Sequence, residues 1–220
     1  MNARDDVLSN IRRSLGVTGH ESTRRSIVAQ RLEQAPRGPI PARGQGDAAA
    51  RMATFVAEAQ RVSASVAMLD SRAAVPAEVA RFLTEAGLPL EIRMGNDARL
   101  VGLDWSGMKV LHGPSRGADL TAISHAFAGV AETGSLVVLS GTDNPTTLNY
   151  LPDNHIVVLS AADLCADLET VWARLRAACG KALMPRSVNI ITGPSRSADI
   201  EQTLLLGAHG PRRLHILVTP

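Results

Sequence analysis

Two short apolar runs, Gly134–Leu139 and His155–Leu159, constrain this chain most. Each holds a few Leu, Val and Ile residues bounded by turn formers. They are too short for a helix and do not alternate with polar residues, which is the pattern of strands buried on both faces. A sheet covered on both faces needs helices on each side, and the intervening segments can supply them. Asp47–Val62 is Ala-rich, with Met52, Phe55, Val56 and Ala59 on one side. Pro76 suits the first turn of a second helix and Gly87 its end. Asp163–Cys179 turns Leu164, Leu168, Val171, Trp172 and Leu175 inward, and Ala198–Leu206 reads as a further helix. Ser65–Leu69, Leu90–Met94, Lys109–Leu111, Val188–Thr192 and Leu214–Thr219 read as the remaining strands. This alternation predicts an α/β fold, a layered and mostly parallel sheet with flanking helices.

The N-terminal part is different. Asp5–Leu15 carries Val7, Leu8, Ile11 and Leu15 on one face and reads as a short amphipathic helix that Gly16 can end. Residues 17–46 show no sustained period and read as a polar linker. Residues 1–46 hold eight arginines against four acids, and the remainder fifteen basic residues against seventeen acids. The basic character therefore belongs to the arm, as a solvated tether or as a docking segment for an acidic partner. The expected division is an N-terminal helix with an Arg-rich linker at 1–46 and one domain at 47–220. The N-terminal helix can pack on that domain or on a second subunit, so a homo-oligomer stays open.

Composition narrows the function classes. Met1–Gly16 is charged and has no continuous apolar core, so no signal peptide is expected, and no stretch is long enough to span a membrane. The two cysteines, Cys165 and Cys179, give no disulfide framework and fit a reducing compartment, so a cytoplasmic location is expected. Aromatic residues make up only 3%, which argues against a nucleic-acid site built on base stacking. There is no Gly-x-Gly-x-x-Gly and no P-loop. His112, His125, His155 and His209 are scattered without metal-ligand spacing, so neither a nucleotide nor a metal site is expected.

One phrase occurs twice. Gly113-Pro114-Ser115-Arg116-Gly117-Ala118-Asp119 is echoed eighty residues later by Gly193-Pro194-Ser195-Arg196-Ser197-Ala198-Asp199. Each copy follows an expected strand, and the small polar residues after Gly-Pro suit a helix start. With it come Ala131-Glu132-Thr133-Gly134-Ser135-Leu136 and Gly207-Ala208-His209-Gly210-Pro211, the latter before the last strand. This ordered set resembles the LUD-domain family of the lactate-utilisation-C type, over about residues 47–220 and the N-terminal helix. The resemblance implies a fold similar to the sugar-phosphate isomerase and CoA-transferase group (NagB/RpiA/CoA-transferase-like). It also implies a place in bacterial oxidation of L-lactate to pyruvate, beside lactate utilisation A- and B-type iron–sulfur proteins. Larger family members carry ferredoxin-like cysteine motifs. Cys165 and Cys179 have no Cys-x₂-Cys neighbour, so no cofactor is expected in this chain and the iron–sulfur clusters are expected on partner proteins.

Several residues are candidates for the chemistry. Arg196 and Arg116 suit a carboxylate substrate because guanidinium binds it through two parallel bonds, and Ser195 can add a donor. The alternative for Arg196 is a loop-fixing pair with Asp199 or Glu201. Glu132, at the start of an apolar strand, is either a base or an outward turn residue. Thr146, Thr147 and Asn149 lie in a polar loop between two buried strands, where α/β folds often place ligands, with an ordinary turn centred on Asn144-Pro145 as the alternative. His209 is the best-placed candidate acid, with a structural histidine as the alternative. Two other functions stay open: a free-standing enzyme of this fold acting on a phosphorylated or CoA-linked substrate, and a non-catalytic assembly module.

Overall fold

The computed structural model describes residues 2–180, 183–197 and 205–220, and it divides into two compact units, Met1–Pro39 and Ile40–Pro220. The first unit holds two helices, α1 (Ala3–Leu15) and α2 (Ser22–Gln34). Asn2 caps α1 by accepting the Asp5 N–H at 3.0 Å, and Gly16 closes it. Helix α2 corrects the expectation of a linker over 17–46. Its Arg, Gln, Glu and Ala residues favour helix intrinsically, but neither helix of this unit buries a residue, so no apolar period marks it. The boundary also falls earlier than 46, because Gly44 is buried and Gln45 Nε2 donates to Asp167 Oδ2 at 3.0 Å.

The second unit contains α3 (Ala48–Arg61), β1 (Ser65–Met68), α4 (Val75–Glu85), β2 (Glu91–Met94), α5 (Ala98–Val101), β3 (Lys109–His112) and β4 (Thr121–His125). Then come β5 (Ala128–Val130), β6 (Ser135–Leu139), β7 (Asn154–Ser160), β8 (Leu164–Cys165), α6 (Leu168–Cys179) and β9 (Val188–Ile191). The chain ends with β10 (Arg196–Ser197), β11 (Leu205–Leu206) and β12 (Arg213–Thr219). Six strands form an all-parallel sheet in the order β1-β12-β7-β4-β2-β3. A second sheet runs β8-β5-β6-β9, and β10 pairs antiparallel with β11.

Successive side chains of the central strands serve opposite faces. Val157, Leu159, Ile216 and Val218 join Phe55 and Ala59 of α3 and Leu136 and Val138 of β6 in one core. Ile156, Val158 and Leu217 join Val79 and Leu83 of α4 in the other. Val130, Val137 and Cys165 close a third cluster against Val171 of α6. The fold is thus mixed α/β, with a parallel sheet covered on both faces.

Three local expectations are corrected. Asp163–Cys165 is a tight turn and a short strand; α6 begins only at Leu168, because Asp167 accepts the Thr170 N–H at 2.7 Å and caps it there. The expected helix Ala198–Leu206 lies mostly outside the described residues, and its last two residues form strand β11. The first Gly-Pro-Ser-Arg copy leads into β4 rather than a helix. Ser115 Oγ donates to Asp119 Oδ2 at 2.7 Å, and Arg93 Nε lies 2.6 Å from Asp119 Oδ1, which folds the loop back before the strand starts.

Candidate functional site

The second Gly-Pro-Ser-Arg copy leaves β9 and meets the segment that leads into β12, at the N-terminal edge of the parallel sheet. Ser195 joins the two. Its N–H donates to Pro211 O at 2.8 Å, its carbonyl accepts the Gly207 N–H at 3.0 Å, and its Oγ accepts the His209 N–H at 3.3 Å. Gly193 has φ 73°, and a Cβ there would lie 2.4 Å from the Val62 carbonyl, so the loop passes α3 only as glycine. Arg196 Nη2 donates to that same carbonyl at 2.8 Å and to Ser63 Oγ. Its Nε and Nη1 have no partner among the described residues.

A cleft of about 250 Å³ opens here, with Asn149, Tyr150, Ser195, Arg196 and His209 in its wall. Asn149 is 1% exposed, and neither its Oδ1 nor its Nδ2 has a hydrogen-bond partner among the described residues. A buried amide left unpaired costs about 1–3 kcal/mol. Beside it Tyr150 donates its hydroxyl to Asn189 Oδ1 at 3.1 Å, and burial raises its phenol above the usual range. Among the described residues, no carboxylate belongs to the wall. Asp199 and Glu201, the alternative partners for Arg196, lie outside the described residues.

The other sequence candidates are elsewhere. Glu132 is buried at the start of α6, where Oε1 accepts the Leu168 N–H at 3.1 Å and Oε2 has no partner among the described residues. It holds the helix start rather than facing this cleft. Arg116 is exposed in the loop after β3. Thr146 pairs with Ser187 Oγ at 3.2 Å, outside the cleft wall, and Thr147 Oγ1 is buried without a partner. The two repeated loops therefore leave different sheets and do not form one site.

Sequence reasoning missed a second cleft, of about 190 Å³, at the C-terminal edge of the parallel sheet. From β2 the chain moves outward to β3; from β4 it moves the other way, towards β7. The crevice between the ends of two such strands is where open α/β sheets bind ligands. Asp97 and Arg99 follow β2 there, and His125 ends β4. Asp97 accepts from Arg99 at 2.9 Å (Nε) and 2.6 Å (Nη2). Gly95 brings the next wall close, since a Cβ there would stand 1.9 Å from the Asp143 carbonyl. A helix-capping Asp97 just after a strand was the available signal; its closeness to His125 comes only from the strand order.

The LUD domain family model matches residues 82–219. The chain belongs to the LUD domain family. It is 36% identical over 92 residues to a lactate utilization protein C of Geobacillus sp. (strain WCH70), covering 41% of this chain and 38% of that protein. It is 38% identical over 98 residues to a lactate utilization protein C of Halalkalibacterium halodurans, covering 44% and 42%. The chain thus spans about two fifths of the length of these curated relatives. The crystal structure of a DUF162 family protein from Deinococcus radiodurans matches with TM-score 0.57 and 21% identity, covering 79% of this chain and 99% of that one. That likeness shows the shared fold. Among the described residues, no group of three or more His, Cys, Asp or Glu residues could hold a metal ion, and no helix is long and apolar enough to cross a membrane.

Proposed function

We propose that this chain is a component of a bacterial L-lactate utilisation system, and that it holds a small carboxylate in the Asn149–Arg196 cleft. The names of its relatives support the pathway. The observation that carries the site is the buried Asn149 amide, unpaired among the described residues, in one cleft wall with the Arg196 guanidinium. A 2-hydroxy or 2-oxo acid supplies what these groups lack: a carboxylate for Arg196 Nε and Nη1, and a second oxygen for the Asn149 amide. His209, exposed at the rim, is placed to exchange a proton with such a ligand.

Oxidation of lactate to pyruvate removes two electrons and two protons. This chain does not fit an iron–sulfur cluster, because it has two cysteines and Cys165 is packed in the core against Val171. The redox centres are therefore assigned to lactate utilisation A- and B-type iron–sulfur partner proteins, with no cofactor in this chain and a cytoplasmic location. The test is calorimetric titration of the purified chain with L-lactate and pyruvate. Binding that weakens at least tenfold in Arg196→Ala is expected; absence of binding by the folded chain overturns the site. The pathway has its own test, growth on L-lactate after gene deletion, and unchanged growth in a strain without another lactate oxidase overturns it.

A further inference from the structure

The switch-point cleft differs in kind from the carboxylate cleft, because it presents acceptors rather than donors. His125 Nδ1 lies 2.8 Å from the Ala126 carbonyl. A carbonyl only accepts, so Nδ1 carries the proton of the neutral ring and Nε2 is left as a lone pair. Nε2 has no partner among the described residues. The ring is kept neutral by burial first and by the Arg99 charge second, which together hold it below the ordinary histidine range against Asp97 and Asp163. Asn144, 7% exposed, donates Nδ2 to the Leu139 carbonyl at 3.2 Å, and its Oδ1 is buried without a partner. Two acceptors without a partner among the described residues, Nε2 of His125 at the end of β4 and Oδ1 of Asn144 in the loop after β6, thus belong to residues of one wall.

The charges choose between ligand classes. Asp97 and Asp143 share the wall with Arg99 and both raise its pKa, so an incoming anion finds this guanidinium already balanced by carboxylates. Arg99 already spends Nε and Nη2 on Asp97. A cation gains little either, because the Asp97–Arg99 pair is neutral as a unit and Asp143 is exposed and screened by water. Hydroxyl groups satisfy both acceptors without a charge penalty, and the carbon skeleton rests on the partly buried Phe127 and Leu139.

We propose that the switch-point cleft is a second small-molecule site, separate from the carboxylate cleft, for an uncharged polyol whose hydroxyls donate to Nε2 of His125 and Oδ1 of Asn144. Two acceptors call for at least two hydroxyl groups on one ligand, and the volume suits a short chain or a single ring.

The experiment uses the full chain with ¹⁵N-labelled histidine and ribitol as the probe at pH 7.5. The His125 Nε2 resonance, assigned by its loss in His125→Phe, is expected to shift and saturate with ribitol. Calorimetry is expected to give at least tenfold weaker ribitol binding in His125→Phe and in Asn144→Leu, and no change in Arg196→Ala. If His125→Phe fails to fold, His125→Gln supplies the assignment and the affinity comparison; if Asn144→Leu fails to fold, the assigned wild-type resonance decides. Three results overturn the proposal: no shift with ribitol or glycerol, unchanged ribitol affinity in folded His125→Phe, or the same saturating shift with L-lactate. Lactate binding that is lost in Arg196→Ala but kept in His125→Phe leaves the carboxylate reading intact whatever ribitol does, so the two proposals fail separately.

Discussion

His155 Nε2 stands 2.6 Å from Ser124 Oγ between two central strands, in a pocket that leaves His155 only 1% exposed. Burial pushes this imidazole down to about 3, so it stays neutral in the fold where an unfolded chain would protonate it near 6.5. The folded pKa is the depressed one. Stability from this group is therefore complete above about pH 6.5 and is lost as pH falls towards about 3, at up to about 1.4 kcal/mol per pH unit. His125 and His215, also lowered chiefly by burial, act in the same direction. Urea unfolding from pH 7 to pH 4 is expected to show falling stability with a shallower slope in His155→Gln. An identical slope in the variant would contradict this account.

That pair also explains what sequence reading could and could not reach. Strands β6, β7 and β12 were legible because each carries a run of at least three consecutive Val, Leu or Ile residues. Strand β4 was not, because Thr121-Ala122-Ile123-Ser124-His125 looks polar. It is fully buried all the same, since β7 supplies His155 to Ser124 and the carbonyl after the strand takes His125 Nδ1. The residues of the carboxylate cleft could be named from turn motifs, because Gly193–Arg196 and His209–Pro211 announce their own loops. The partnership of Arg99 with His125 could not be read this way, because it depends on β2 lying beside β4, a fact of strand order that no local pattern carries.

Asn149 offers a test that separates stability from ligand handling. Its amide is buried with neither atom paired among the described residues, so Asn149→Leu, close in size, removes an unsatisfied polar group. The free protein is expected to gain about 1–2 kcal/mol and melt a few degrees higher. Carboxylate binding is expected to fall at least tenfold in the same variant. Thermal melts with and without pyruvate measure both: the gain appears without ligand, and the ligand-induced rise in Tm disappears.

Gly193→Ala tests the loop that carries Ser195 and Arg196. The new methyl meets the Val62 carbonyl at 2.4 Å and sits on a backbone with φ 73°. Strain of this sort costs about 1–3 kcal/mol, and here it also displaces the carbonyl that receives Arg196 Nη2. Denaturant unfolding should show the loss, and calorimetry should show weakened carboxylate binding. Gly117→Ala is the comparison. It has φ 91° but nothing within 4 Å of the added Cβ, so it is expected to cost less and leave binding unchanged.

The two Gly-Pro-Ser-Arg copies should respond oppositely to substitution. In the first copy the working residue is Asp119, which accepts from Ser115 Oγ at 2.7 Å and is ion-paired with Arg93, whose Nε lies 2.6 Å away. Burial would raise its carboxyl, but the bonds from Arg93 and Ser115 outweigh burial and hold it below the usual range. Asp119→Ala leaves Arg93, 21% exposed at its side chain, without its counter-ion, and is expected to cost about 2 kcal/mol. Arg116 is exposed, and Arg116→Ala is expected to change stability by less than about 0.5 kcal/mol and carboxylate binding not at all. In the second copy the arginine is the working residue, and Arg196→Ala should weaken binding. Measuring unfolding and lactate titration on all three variants decides whether one phrase serves two ends. Loss of lactate binding in Arg116→Ala would instead place the first copy in a ligand site.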